Sequence, residues 1–384
     1  MGANLMKAEA PWQIYSDRLL SKAGTIVVKI GSALLIDEST GDINRHWLKC
    51  LAEDIMNLRG SKKRVVIVSS GAIALGKKIL NLSDMGLDLE QSQAAAAVGQ
   101  IRLCQAYQEF FEPLGVRTAQ ILVTAEDSRN RRRYLNSKAT ISRLLDLGVV
   151  PIVNENDSVA TNEIRFGDND RLAAQVASLA RAEVLILLSD INGLYSGDPK
   201  LQTNIRHIPV VAQVTEEINS YAGETFSSLA KGGMKTKVEA ARIAAVAGCA
   251  TVIAKGNIDY PISGIKSGAK VSWFLASKNP ENARKQWINN IKVKGSIFID
   301  KGAEKAIFRG SSLLPAGVTK VYGEFSRGDI VEIISQEGIT VGKGITAYNS
   351  EEIEKIKGCK SKTISSKLGH AGRSALVHRD DMVV

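Results

Sequence analysis

The chain has 384 residues, 44% of them hydrophobic and 23% charged, with a formal net charge of +10. That length exceeds one ordinary domain and predicts two or three, with enough apolar content for a sizeable core. Cys50, Cys104, Cys249 and Cys359 stand far apart without a CxxC pair, so spacing suggests neither a disulfide framework nor a zinc site. No apolar run reaches the length of a membrane span, and the first 22 residues lack the apolar core of a signal peptide. Met6 stands where myristoylation needs Ser or Thr, so the expected setting is a reducing cytoplasm, away from membranes.

Residues 1–24 are expected to be an N-terminal extension. From residue 25 the pattern alternates. TIVVKI (25–30) reads as a strand, 44–59 as a helix, 64–69 as a strand, 91–111 as a helix, 116–123 as a strand and 132–147 as a helix. The apolar run 149–153 fits a strand buried on both faces, and Asp170 followed by RLAAQVASLA fits the start of a helix. A strand at 184–188, a helix at 237–247 and a strand at 251–254 continue the series. Such alternation predicts an α/β domain over 25–276, a mostly parallel sheet flanked by helices.

The stretch 277–292 reads as a linker. Beyond it, short segments between glycines and polar turns predict a smaller β-rich domain over 293–372, with 373–384 as a tail. From Ala276 onward there are 18 Lys and Arg against 12 Asp and Glu, so most of the chain's excess positive charge lies there and RNA contact stays open as a partner class. The run RNRRR, Arg129 to Arg133, reads as a solvated helix face.

Chemistry concentrates in Val149 to Arg171, where Asn154, Glu155, Asn156, Asp157, Asp168, Asn169 and Asp170 flank a hairpin-like segment. They follow a predicted strand, and ligands of open α/β sheets bind beyond the C-terminal strand ends. Gly71, Gly76 and Lys77 have the spacing of a P-loop, but Lys78 replaces the hydroxyl residue that holds magnesium. The better reading is a small-residue turn, Ser69–Ser70–Gly71, whose backbone N–H groups can face an anion at a helix N-terminus. Lys29 beside Gly31 and Ser32, and Gly232–Gly233 before MKTK, add cations next to close-approaching backbone. Lysines and backbone N–H groups are what phosphoryl transfer requires.

Together, VVKIGSA (27–33), VSSGAIALG (68–76), IVNENDSVATNEI (152–164), FGDND (166–170), SDINGLY (189–195) and GGMKTK (232–237) resemble the amino acid kinase family. RGSSLLPAGV (309–318), FSRGD (325–329) and VHRDDM (377–382) resemble the PUA domain and tail that follow the kinase domain in bacterial members acting on glutamate. The resemblance therefore implies an amino acid kinase-type sheet with a PUA-like second domain. It also implies ATP-dependent phosphorylation of the γ-carboxylate of L-glutamate, with Mg2+ riding on the phosphates and no dedicated metal ligand. Lys29 and Lys237 would contact the phosphates, with Asp170 orienting both. Ser189, Asp190, Lys231, Gly232, Gly233, Met234, Lys235, Thr236 and Lys237 would hold the nucleotide. Ser70, Gly71, Asn154, Asp157, Asp168 and Asn169 would hold glutamate. Further implications are a homo-oligomer, feedback inhibition by proline and a transient contact with glutamyl phosphate reductase. Acetylglutamate, aspartate and carbamate kinases are the alternative activities within the family. Lys231 departs from the Thr common at that position, and GSA from the usual GTS.

Overall fold

The computed structural model describes residues 10–37, 39–82, 86–124, 127, 130–159, 169–199, 204–223 and 233–384. Two compact units divide the chain, Met1–Pro280 and Glu281–Val384. In the first, the elements run α1 (Pro11–Lys22), β1 (Thr25–Ile30), α2 (Ser32–Leu35), α3 (Arg45–Gly60), β2 (Arg64–Val68), α4 (Ala72–Ile79) and α5 (Leu89–Phe111). There follow β3 (Thr118–Val123), α6 (Arg131–Asp146), β4 (Val150–Glu155), α7 (Asn169–Ala180), β5 (Val184–Ser189), β6 (Leu194–Tyr195), β7 (His207–Ile208) and β8 (Val210–Val211). The last are α8 (Glu216–Tyr221), α9 (Met234–Val246), β9 (Ala250–Lys255), α10 (Pro261–Lys266) and β10 (Ser272–Phe274).

One sheet has the order β3-β4-β2-β1-β5-β9-β10-β8. Its pairs are parallel except β9 with β10. Strand β1 is buried at every residue, as a central parallel strand covered on both faces must be. Its side chains alternate between two cores. Ile26, Val28 and Ile30 pack with Leu48, Leu51, Ile55 and Tyr107, whereas Val27 packs with Ala173, Ala177, Val238 and Ala241. The period of two puts Lys29 on the Val27 face, the one covered by α7 and α9.

Helices α4 and α5 touch through glycines. A methyl group on Gly76 would lie 1.7 Å from the Ala95 carbonyl oxygen, and one on Gly99 1.8 Å from that of Ala72. The Walker-like glycine at 76 thus sits inside a helix and serves packing, which explains why the motif is not a phosphate loop.

Three sequence expectations change. Residues 1–24 are not merely an extension: from Pro11 they form α1, whose buried Ser16 accepts a hydrogen bond from Trp273 Nε1 at 3.0 Å. Trp12 Nε1 donates to the Gly268 carbonyl at 3.2 Å, and Leu20 is buried in the first core. The stretch expected as a linker is largely helical, α11 (Pro280–Asn290), with Ala283 and Ile288 buried.

The second unit continues with β11 (Gly295–Ile299), α12 (Lys301–Phe308), β12 (Val318–Tyr322), β13 (Ile330–Ile334), β14 (Thr340–Thr346), α13 (Ser350–Ile356), α14 (Ile364–Leu368) and β15 (Val377–Val383). Its five strands form one sheet in the order β12-β11-β13-β14-β15. The third change concerns 373–384, expected as a tail. Within it β15 pairs antiparallel to β14, and Asp381 meets Arg284 at 2.8 Å. Among the described residues, no helix is long and apolar enough to cross a membrane.

Candidate active site

Strands β1, β2, β4 and β5 are parallel neighbours, so their C-terminal ends open on one edge of the sheet. Lys29 lies one residue before the end of β1, in register with Val68 of β2 and Leu187 of β5. Its Nζ is 2.7 Å from Asp170 Oδ1, and Lys237 Nζ is 3.3 Å from Asp170 Oδ2. Thr236 Oγ1 donates to Asp170 Oδ2 at 2.8 Å. All three charged side chains are buried, Asp170 with no exposure at all.

Each position has a local cause. Asp170 stands in the first turn of α7, where the helix dipole favours a carboxylate. Lys237 comes one turn into α9. Burial would push the Asp170 carboxyl up, but the charges of Lys29 and Lys237 outweigh it and hold the group below the ordinary carboxylate range. For Lys237, burial dominates and lowers its affinity for a proton, with Lys29 acting the same way against the attraction of Asp170. The result is two ammonium groups spaced by one carboxylate, rigidly held at the strand edge. Such a pair is suited to bridging phosphate oxygens.

Next to it lies a polar floor. Asn169 Nδ2 donates to the Ser69 carbonyl at 2.8 Å and to Ser70 Oγ at 2.7 Å. Asn154 is buried beneath: its Nδ2 donates to Gln100 Oε1 at 2.8 Å, and its Oδ1 accepts from the Glu155 backbone at 2.9 Å and from Asn169 at 3.4 Å. These bonds tie Asn154 to both Gln100 and Asn169. Gln100, on α5, is the supporting residue that the sequence reading missed; nothing local marks it. Tyr107 likewise fixes Ser69, the two hydroxyls lying 2.9 Å apart. Ser70 Oγ donates to the Ile30 carbonyl at 3.1 Å, linking the ends of β1 and β2. Gly71 caps α4 with φ of 99°, and a Cβ there would lie 3.0 Å from Ile36 Cδ1, so the turn requires glycine.

Asp157 follows β4 and is half-buried; burial alone pushes its carboxyl up to about 6. An acid kept partly from water is suited to receive a cationic group. Ser189, at the end of β5, is buried and donates to the exposed Asp190 at 3.0 Å. Gly233 precedes α9, and its carbonyl oxygen lies 2.8 Å from Thr236 Oγ1. Met234 packs against the second core and Lys235 is exposed. Asp168, Lys231 and Gly232 lie outside the described residues.

With this geometry in place, comparison with known proteins is informative. A profile of the amino acid kinase family matches residues 24–255, and one of the PUA domain matches residues 295–368. The chain is 52% identical over 365 residues to glutamate 5-kinase of Ruegeria sp. (strain TM1040), spanning 95% of this chain and 99% of that protein. It is 53% identical over 365 residues to glutamate 5-kinase of Paracoccus denitrificans (strain Pd 1222), spanning 95% and 98%. Glutamate 5-kinase 1 of Rhizobium meliloti (strain 1021) is 52% identical over 360 residues, spanning 94% and 91%.

Proposed function

The chain belongs to the amino acid kinase family, and on that premise we propose that it transfers the γ-phosphoryl group of ATP to the γ-carboxylate of L-glutamate, forming L-glutamyl 5-phosphate. The observation that carries the assignment of the site is the buried Lys29–Asp170–Lys237 row at the sheet edge. Its two ammonium groups would bear on the phosphoryl oxygens, while Asp170 fixes their spacing. The acceptor carboxylate is already ionised at neutral pH, so no general base is needed and positioning with charge stabilisation suffices. Asp170 gives its oxygens to Lys29, Lys237 and Thr236, which is consistent with magnesium entering as part of the MgATP substrate.

Asp157 would take the α-ammonium of glutamate, with Ser70, Gly71, Asn169 and Asp168 around the rest of the molecule. Asn154 would hold Asn169 in place. Ser189, Asp190 and the segment Lys231 to Lys237 would hold the nucleotide. A cytoplasmic homo-oligomer, inhibited by proline at the glutamate site and passing its labile product to glutamyl phosphate reductase, completes the reading.

Phosphoryl transfer would be tested by ADP release with glutamate, N-acetylglutamate, aspartate and carbamate in parallel. Release dependent on glutamate alone is expected. Dependence on one of the others would replace the acceptor, and release with none would remove the assignment.

A further inference from the structure

Apart from the phosphoryl site, three side chains with metal-ligand chemistry converge where α3 meets the loop after β9. His46 and Cys50 are four residues apart on α3 and therefore share a face. Cys50 Sγ lies 3.8 Å from His46 Nε2, and His46 Nε2 lies 3.1 Å from Asp259 Oδ2. All three ligand atoms are within 4.8 Å of one another. A tetrahedral zinc ion, with bonds of about 2.0–2.1 Å to N and O and 2.3 Å to S, separates its N and O ligands by about 3.3 Å and its S and N ligands by about 3.6 Å. The two separations from His46 Nε2 are close to that spacing already.

The surroundings agree with a bound cation. Cys50 is buried, His46 and Asp259 are exposed, and beside them opens a cleft of about 160 Å³ lined by Asn44, His46, Trp47, Asn257 and Asp259 among others. Solvent could therefore supply a fourth ligand. The loop is tied to α3 on both sides of Asp259. Trp47 Nε1 donates to the Gly256 carbonyl at 2.6 Å, Tyr260 Oη donates to Glu53 at 2.8 Å, and Asp54 accepts from the backbone of Ile262 at 2.7 Å. The segments that carry the ligands are thus held together by contacts independent of a metal.

We propose that His46, Cys50 and Asp259 form a binding site for a borderline-soft divalent cation of the zinc class, cross-linking α3 to the loop after β9. The donor set separates it from the magnesium of the substrate, because magnesium takes oxygen ligands whereas thiolate and imidazole select zinc-like ions.

The test uses the full chain and Co2+ as a spectroscopic probe. Expected is one equivalent bound, with a thiolate-to-cobalt charge-transfer band and tetrahedral ligand-field bands that Zn2+ removes and excess Mg2+ does not. Cys50→Ser should abolish the charge-transfer band and weaken Zn2+ binding by at least about 100-fold, the upper end of what losing even an outer partner costs. His46→Gln and Asp259→Asn, at exposed positions, should weaken binding without disturbing the fold, and they carry the test should Cys50→Ser not fold. Cys104→Ser and Cys359→Ser should leave the spectrum unchanged. Absence of stoichiometric binding, a charge-transfer band that survives Cys50→Ser, or affinity indifferent to His46→Gln and Asp259→Asn would overturn the proposal.

Discussion

Lys29 Nζ stands 2.7 Å from Asp170 Oδ1, an ion pair closed to water between the end of the central strand and the first turn of α7. Breaking such a pair from one side leaves buried charge behind. Asp170→Asn should therefore destabilise the fold by about 3–5 kcal/mol and lower kcat by orders of magnitude. Chemical denaturation and steady-state kinetics measure the two effects. The pH dependence follows from the depressed pKa of Asp170: its contribution to stability is in place above the unfolded carboxylate pKa and is lost as pH falls through the lower folded value. Wild type should lose more stability than the variant over that acid range.

Lys237→Ala should act differently. It removes a cation expected to act mainly in the transition state, so kcat should fall by about 100-fold or more with a small change in the KM for glutamate. Near-normal kcat would move the role elsewhere, with exposed Lys235 the next candidate.

Burial pushes the Asp157 carboxyl up to about 6. If its carboxylate binds the α-ammonium of glutamate, kcat/KM for glutamate should decline as pH drops below about 6. Folding has the opposite preference. An acid whose folded pKa is raised loses stability as pH rises through the interval between its unfolded and folded values, because the unfolded chain gives up its proton first. Asp157→Asn should thus raise the KM for glutamate strongly at pH 8, leave ATP affinity intact, and raise the thermal midpoint in the absence of ligand. A nucleotide defect of equal size would remove the assignment.

Gly99→Ala tests the contact of α4 with α5. The added methyl has no space beside the Ala72 carbonyl, so the helices must separate at a cost of about 1–3 kcal/mol or more. Because α4 begins directly after Ser70 and Gly71, activity should fall with stability. Calorimetry showing an unchanged midpoint would contradict the packing.

Lys29, Asp170 and Lys237 all belong to the first unit. A chain ending at Pro280 should accordingly retain glutamate-dependent ADP release. Ending at Ala276 would be worse, since a Cβ on Gly248 would lie 2.5 Å from the Asn279 backbone, and that contact closes the end of α9. The removed part holds half of the excess positive charge, and RNA affinity of the full chain should be weak and steeply salt-dependent. Tight binding that persists at high salt would favour RNA recognition as a second activity.

Much of this protein is determined by its sequence alone. Short apolar runs such as TIVVKI and VLILL, bounded by turn residues, fit strands covered on both faces, and helix starts and strand ends follow from local chemistry, so the alternating sheet was legible, with Lys29 near a strand end, Asp157 after a strand and Asp170 at a helix start. Tertiary structure decided what depends on distant partners. Helix α1 looked like an extension because its buried face becomes meaningful only against Trp273 and Gly268. Gly76 has the spacing of a phosphate loop that Lys78 already argued against, but only α5 laid across it shows what the glycine serves, and residues 373–384 read as a tail until β14 offered β15 an edge to pair with. Cys50 suggested no metal site by its spacing from other cysteines, yet the fold brings His46 and Asp259 to it. Periodicity reports which face of an element is apolar. It carries no information about which charged or polar side chain, many residues away, will stand opposite, and that pairing is what gathers Lys29 and Lys237 onto one carboxylate.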